Sequence, residues 1–327
     1  MGFQSGWTVH NNSIDNLSRG ILERVYLHKG VRPVQPKPGI YKQLHYFRSQ
    51  VGKLIGQITP MDIQDFPKCY RGRLQTIYQK AVDDLWVTPV DRKDSHIQAF
   101  VKAERVNTID KPDPVARVIQ PRSPRYNASL GIYVKNAEKR IYRAIAAVFG
   151  ECTVMKELNA VSQAAEILSK WNKYRKPVAV GLDASRFDQH VGVDALQYEH
   201  GFYSGIYGNN AELNKLLSWQ LTNIGRGNCS DGKLRYTVNG CRMSGDMNTG
   251  LGNCIIMCAL VHNMCYRLGI KKYSLCNNGD DCVIIMEQTD LQILTNGVSH
   301  YFKTFGFVIK VEEPVYEFER IEFCQTS

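Results

Sequence analysis

The apolar positions of this chain gather into short runs whose spacing separates strands from helices. Pro177 to Leu182 (PVAVGL) is a continuous apolar run that leads into Asp183, and its valines favour a buried strand. Leu234 to Val238 reads as a strand followed by a turn at Asn239-Gly240. Tyr273–Cys276 and Cys282–Met286 are apolar segments flanking Asn277-Asn-Gly-Asp-Asp281, the pattern of a hairpin. Phe307–Val311 and Arg320–Phe323 are further strand candidates. Helical spacing runs through Asn136–Phe149, Met155–Trp171, Thr249–Leu268 and Leu291–Phe305, the last ending near Gly306. Residues 190–225 read as largely helical, with Gly201, Gly205 and Gly208 marking a break. Asn16–Tyr26 fits a short helix or an extended arm, and Pro33, Pro36 and Pro38 give an extended crossing segment. A strand, helices, a hairpin, a helix and strands, in that order, predict an α+β fold with helices packed on an antiparallel sheet.

Composition narrows the partners more than the fold. The 327 residues are 43% hydrophobic and 22% charged, an ordinary globular balance. The longest clearly apolar run, Cys254–Val261, is far shorter than a membrane span. The net charge is +10. Residues 66–140 hold 15 Lys and Arg against 8 Asp and Glu, so most of the excess sits in under a quarter of the chain. That balance favours an anionic partner: nucleic acid, nucleotide or an acidic membrane surface. The ten cysteines form no Cys-x-x-Cys pair and no Cys/His cluster of zinc spacing, and several lie in apolar stretches as reduced core residues do. They indicate a reducing compartment. Met1-Gly-Phe-Gln lacks the features of a signal peptide. The eight histidines show no metal-like clustering; His190, close to Asp188, is read as a surface or helix-packing residue, with a place in the lining of a nucleotide site as the alternative. The four tryptophans are read as core or interface anchors.

Four constellations carry chemistry. Asp183-Ala-Ser-Arg-Phe-Asp188 places one carboxylate at a strand end and another after a turn, although caps and turns account for most such pairs. Gly279-Asp280-Asp281 at a hairpin tip is on its own an ordinary surface turn. Its apolar flanks make it a fixed pair of acids able to face Asp183, and three convergent carboxylates call for a cation such as Mg²⁺. Ser244-Gly-Asp-Met-Asn-Thr249-Gly-Leu-Gly-Asn253 is a small-residue loop entering a helix. Asn248 or Thr249 can cap that helix, the glycines permit close backbone approach, and the polar groups at 244, 249 and 253 can bond a ribose. The basic segment from Lys102 to Arg122 offers Lys111, Arg117 and Arg122 to a triphosphate; a solvated basic loop is the plain alternative.

These four pieces, in this order and spacing, resemble the RNA-dependent RNA polymerases of positive-strand RNA viruses, and most closely the replicases of tombusvirus-like plant viruses (Tombusviridae). Val9-His-Asn-Asn-Ser also looks like that group, and the likeness runs on to Ile321-Glu-Phe-Cys-Gln325. The resemblance implies an α+β right-hand polymerase with an antiparallel palm sheet. Fingers would span 1–150, with an N-terminal arm and a basic nucleotide-loading loop at 102–122. The first palm part would span 151–190, a fingers insertion 191–243, and the second palm part 244–327. It implies RNA-templated RNA synthesis with two Mg²⁺ ions, Mn²⁺ being a possible substitute. Asp183, Asp280 and Asp281 would bind metal, and Lys310 would serve as general acid for pyrophosphate. Lys102, Glu104, Lys111, Arg117 and Ile119 match the fingers motif that binds the nucleotide. Asp188, Ser244, Thr249 and Asn253 match positions that test the ribose and hold the template. Phe323-Cys324-Gln325 resembles the primer grip. The implied partners are RNA template and nascent strand, NTPs, a viral auxiliary replication protein and a C-terminal thumb region for which this chain has no room. The implied location is host cytoplasm, at membrane-associated replication complexes. A catalytically incomplete RNA-binding replicase fragment and a reverse transcriptase-like polymerase are the competing readings.

Overall fold

The computed structural model describes residues 7–109 and 112–324. Its helices are α1 (Ile14–Ile21), α2 (His45–Ile55), α3 (Gly72–Val87), α4 (Pro124–Phe149), α5 (Ala160–Trp171), α6 (Phe187–His190), α7 (Val193–Ile206), α8 (Ala211–Ser218), α9 (Thr249–Leu268) and α10 (Leu291–Thr304). Its strands are β1 (Trp7–Val9), β2 (Ile97–Val101), β3 (Arg105–Asn107), β4 (Val118–Ile119), β5 (Pro177–Ala184), β6 (Thr222–Cys229), β7 (Gly232–Asn239), β8 (Tyr273–Asn278), β9 (Asp281–Glu287) and β10 (Ile309–Val311).

The sheet that matters for the site is antiparallel throughout, in the order β10-β5-β9-β8. Both of its faces are covered, which is why its strands read as near-continuous apolar runs. On one face Val178, Val180, Leu182, Leu275 and Ile284 join a large core with α4, α9 and α10. On the other, Ala179, Cys276, Val283 and Ile285 pack against Met155, Ile167 of α5, Ile321 and Phe323. Burying these side chains contributes roughly 1.5–3 kcal/mol for each large one. A second sheet, β4-β2-β6-β7, pairs β2 with β6 in parallel and the other neighbours antiparallel. It carries its own small core with Leu17 and Ile21 of α1. A two-stranded sheet joins β1 to β3.

The helices at 249–268 and 291–304 and the hairpin around Gly279 fall where the pattern puts them. Other boundaries move, for physical reasons. Residues 222–225, expected to end a helical stretch, instead begin strand β6 (Thr222–Cys229). Its glycines hide the strand: a Cβ on Gly225 would meet the Tyr236 ring, and one on Gly227 would meet Leu17. Helix α7 runs through Gly201 and Gly205, and the break comes at Gly208, where φ is +61°. Helix α4 begins twelve residues earlier than expected: Ser123 caps it by accepting from the Tyr126 N–H (3.1 Å), and Pro124 follows. Helix α5 starts at Ala160, not Met155, capped by Asn159. Residues 320–323 are not a strand; a 3₁₀ turn at Phe318–Arg320 leads into them. The cysteines within the described residues are unpaired thiols. Trp219 is buried, but Trp7 and Trp86 are exposed and anchor no core. No helix among the described residues is long and apolar enough to cross a membrane.

Candidate active site

Strand β5 extends through Asp183 to Ala184, so Asp183 is a strand residue rather than the residue after one. Its register partners are Asp281 on β9 and Lys310 on β10. Three charged residues therefore form one row across three adjacent strands, and cross-strand partners share a face. All three are exposed, whereas Leu182, Ala184, Cys282 and Ile309 beside them are buried. Gly279 and Asp280 make the two-residue turn between β8 and β9. Gly279 adopts φ +91°, a conformation that suits glycine alone.

Asn277 braces that turn, a role the sequence pattern does not reveal. Its buried side chain donates to the Gly279 carbonyl (2.8 Å) and accepts from the Gly279 N–H (3.2 Å). Its backbone pairs with the 153–155 segment, through Met155 N–H to Asn277 C=O (2.8 Å) and Asn277 N–H to Thr153 C=O (2.9 Å). That segment brings Lys156 beside Gly279.

The acids repel one another. Burial, and then the charge of Asp183, push the Asp280 carboxyl above its ordinary value, with Lys156 and Arg117 opposing. Partial desolvation by the surrounding chain, then Asp280, Asp183 and Glu312, raise Asp281, whose side chain still reaches solvent, again against Lys156. A group of acids that costs energy to ionise, held in place by strand register, is one whose charge a cation would offset. Among the described residues no three His, Cys, Asp or Glu side chains form a metal cage. A hard divalent cation held by one or two carboxylates together with water and substrate phosphates needs none, and the all-oxygen donor set of Asp183, Asp280 and Asp281 fits such an ion.

Asp188 lies on α6, beyond a turn in which Arg186 takes a left-handed φ of +49°. Its Oδ1 accepts from the Asn253 Nδ2 (2.9 Å). Burial raises the Asp188 carboxyl, against the pull of that bond and of Arg242. The small-residue loop is tied down by its own chain. Thr249 Oγ1 donates to the Met243 carbonyl (2.7 Å), and Ser244 Oγ accepts from the Gln120 N–H (3.0 Å). A Cβ on Gly245 would lie 2.4 Å from the Cα of Pro121, so the close backbone approach there is to protein. Asn248 occupies the cap position of α9 but does not cap it; its amide turns inward to Glu199 and Gln220.

The basic segment divides. Glu104 pairs with both Lys102 (2.8 Å) and Arg117 (3.3 Å). Arg117 lines a cavity of about 490 Å³ with Arg24, Arg105 and Arg186. Burial, followed by Arg186 and Arg117, pushes Arg24 down to about 10, while its guanidinium donates to the carbonyls of Ala116 (3.0 Å) and Val115 (3.1 Å). Crowded guanidinium groups around a cavity suit an anion. Ile119 is half-buried in β4. Arg122, expected to meet phosphate, does not: its side chain is buried, ion-paired with Asp246, and donates to Ser95 C=O and Asn223 Oδ1 (2.6 Å each). Lys111 and Gln325 lie outside the described residues. His190 is buried, with its ring edge-on to His28 in the N-terminal arm at 5.1 Å.

A family model described as viral RNA dependent RNA polymerase matches residues 1–327. The chain is 52% identical over 323 residues to the RNA-directed RNA polymerase of Tobacco necrosis virus (strain A), covering 98% of this chain and 44% of that protein. It is 47% identical over 333 residues to the enzyme of Turnip crinkle virus, covering 100% of this chain and 42% of that protein. It is 46% identical over 326 residues to that of Tomato bushy stunt virus (strain Cherry), covering 98% and 40%. The chain thus spans less than half the length of the curated relatives it matches.

Proposed function

Because the chain belongs to the viral RNA dependent RNA polymerase family, we propose that it carries the centre that joins nucleotides to a growing RNA on an RNA template. The observation that carries this reading is the row of Asp281, Asp183 and Lys310 across β9, β5 and β10, with Asp280 at the adjoining turn. In this reading Asp183, Asp280 and Asp281 hold Mg²⁺, with Mn²⁺ as a substitute. The bound ions would supply Lewis-acid activation of the 3′-hydroxyl and charge neutralisation at the phosphates.

The chain's own groups do the rest. Arg117 and Lys102 bind the triphosphate, and Lys111 adds a further cation on the same segment. Ile119 contributes an apolar contact to the nascent pair. Asp188 and Asn253 meet the ribose hydroxyl, while Ser244 and Thr249 fix the loop that presents Asn253. Lys310, directly across from Asp183, holds the proton that the departing pyrophosphate takes. Rigid placement by strand register supplies the orientation that such a transfer needs. Residues outside this chain, an auxiliary protein and a thumb region are proposed partners of the whole polymerase.

The test is extension of a primed RNA template by the polymerase containing this chain, with Mg²⁺ and either NTPs or dNTPs. Incorporation of ribonucleotides that depends on template sequence is expected. A preference for dNTPs would contradict the assignment and favour a reverse transcriptase.

A further inference from the structure

Behind the ribose-facing pair lies a polar network that no motif announces. Glu199 of α7 and Arg242, in the segment before the small-residue loop, form an ion pair whose side chains are both 0% exposed. Glu199 Oε1 also accepts from the Tyr203 hydroxyl (2.8 Å) and the Asn248 amide (2.7 Å). Asn248 and Gln220 exchange hydrogen bonds at 2.8 and 3.2 Å, and the His200 ring meets Gln220 at 3.0 Å. From the other side of the pair, Arg242 Nε donates to Asn253 Oδ1 (3.2 Å), and the Arg242 backbone N–H donates to the Asp188 carbonyl (2.8 Å). The space for the pair is made by Gly252: a Cβ there would lie 2.3 Å from Glu199 Oε1 and 2.5 Å from Arg242 Nη2.

An asparagine amide has one accepting end and one donating end, and only its bonding partners decide which way it faces. A guanidinium can only donate, so Arg242 fixes the Asn253 oxygen on its own side. The Asn253 Nδ2 must then point at Asp188, where it donates to Oδ1. The reversed amide would set oxygen against carboxylate on one side and N–H against N–H on the other. Arg242 can hold this position without solvent only because Glu199 neutralises it.

We propose that Glu199 and Arg242 are positioning residues for ribose selection. By locking the Asn253 amide, they leave the second oxygen of Asp188 aimed at the 2′-hydroxyl of an incoming nucleotide. This rests on the polymerase reading above. Neither residue touches the nucleotide; both act through Asn253.

The experiment compares kcat/KM for ATP and 2′-deoxyATP on a primed RNA template, with thermal unfolding of each variant as the folding control. Arg242→Lys keeps the charge facing Glu199 but loses the fixed Nε donor. Glu199→Leu/Arg242→Met removes both charges together, so no lone charge is left buried, and thermal unfolding reads whether the variant is folded. Each variant should lower the ATP-to-deoxyATP ratio by about tenfold or more, mainly through better use of deoxyATP, because a site built around a hydroxyl loses discrimination when its partners can turn away. The rate with saturating ATP should stay within about threefold, since the metal-binding acids are untouched. A folded, active variant with the wild-type ratio would overturn the inference and leave the polymerase reading standing. A wild-type protein that incorporates neither nucleotide would overturn the polymerase reading itself.

Discussion

Asp183 and Asp281 face each other on two central strands whose neighbouring side chains are buried on both sides of the sheet. Arg117 stands just before a two-residue strand, with 58% of its side chain exposed and, among the described residues, one carboxylate partner at 3.3 Å. The carboxylates are thus fixed before any substrate arrives, at an electrostatic cost that remains until a cation offsets it. Lys102 and Arg117 are held by surface pairs with Glu104 worth about 0–1 kcal/mol, weak enough for an anion to displace. Arg122, five residues further on, belongs with the rigid half: its buried pair with Asp246 ties the basic segment to the small-residue loop. In the proposed reading, pre-organisation sits where bonds would be made and broken, and adaptability where the substrate's charge would first be met.

Asp280→Ala strikes the rigid half and should lower templated synthesis by about a thousandfold while RNA binding is retained; a gel-shift assay beside primer extension reads both. Next is Arg122→Ala, which leaves Asp246 buried and unpaired and should cost about 3–5 kcal/mol of stability by denaturant unfolding. If it behaved like a surface arginine, the division within the basic segment would be wrong. Asp281→Asn should act on stability in the opposite sense. The raised Asp281 carboxyl means that the folded chain holds its proton more tightly than the unfolded chain. This contribution to stability falls as pH rises from the ordinary carboxylate range through the folded value. The variant should therefore melt higher than wild type at neutral pH, converge with it in acid, and respond less to added Mg²⁺. The smallest structural effect belongs to Arg117→Ala: stability within about 0.5 kcal/mol of wild type, with a raised KM for NTP and little change in duplex binding. Equal losses in both would move Arg117 onto the RNA path.

The four-stranded antiparallel sheet was legible because buried strands leave uninterrupted apolar runs, as in Val178–Leu182 and Cys282–Met286. The acids were legible because they stand at fixed offsets from those runs. Strand β6 was not, since glycines at 225 and 227 do the packing that apolar side chains signal elsewhere. The start of α4 was hidden by Asn127 and Ser129, polar residues that the fold buries. Arg117 and Arg122 look alike in sequence, and only Asp246, more than a hundred residues away, separates their roles. Glu199, Arg242 and Lys156 belong to no local pattern; long-range packing brings them to the site. Asn277 stands in the hairpin pattern, but nothing in that pattern shows that its side chain braces the turn.

Asp183→Asn removes one charge from the carboxylate row without disturbing strand register, and so asks whether that row carries templated nucleotide transfer. On a primed RNA template with Mg²⁺ and NTPs, the variant should bind RNA and melt like a folded protein but extend the primer at no measurable rate. Extension at the wild-type rate would contradict the account.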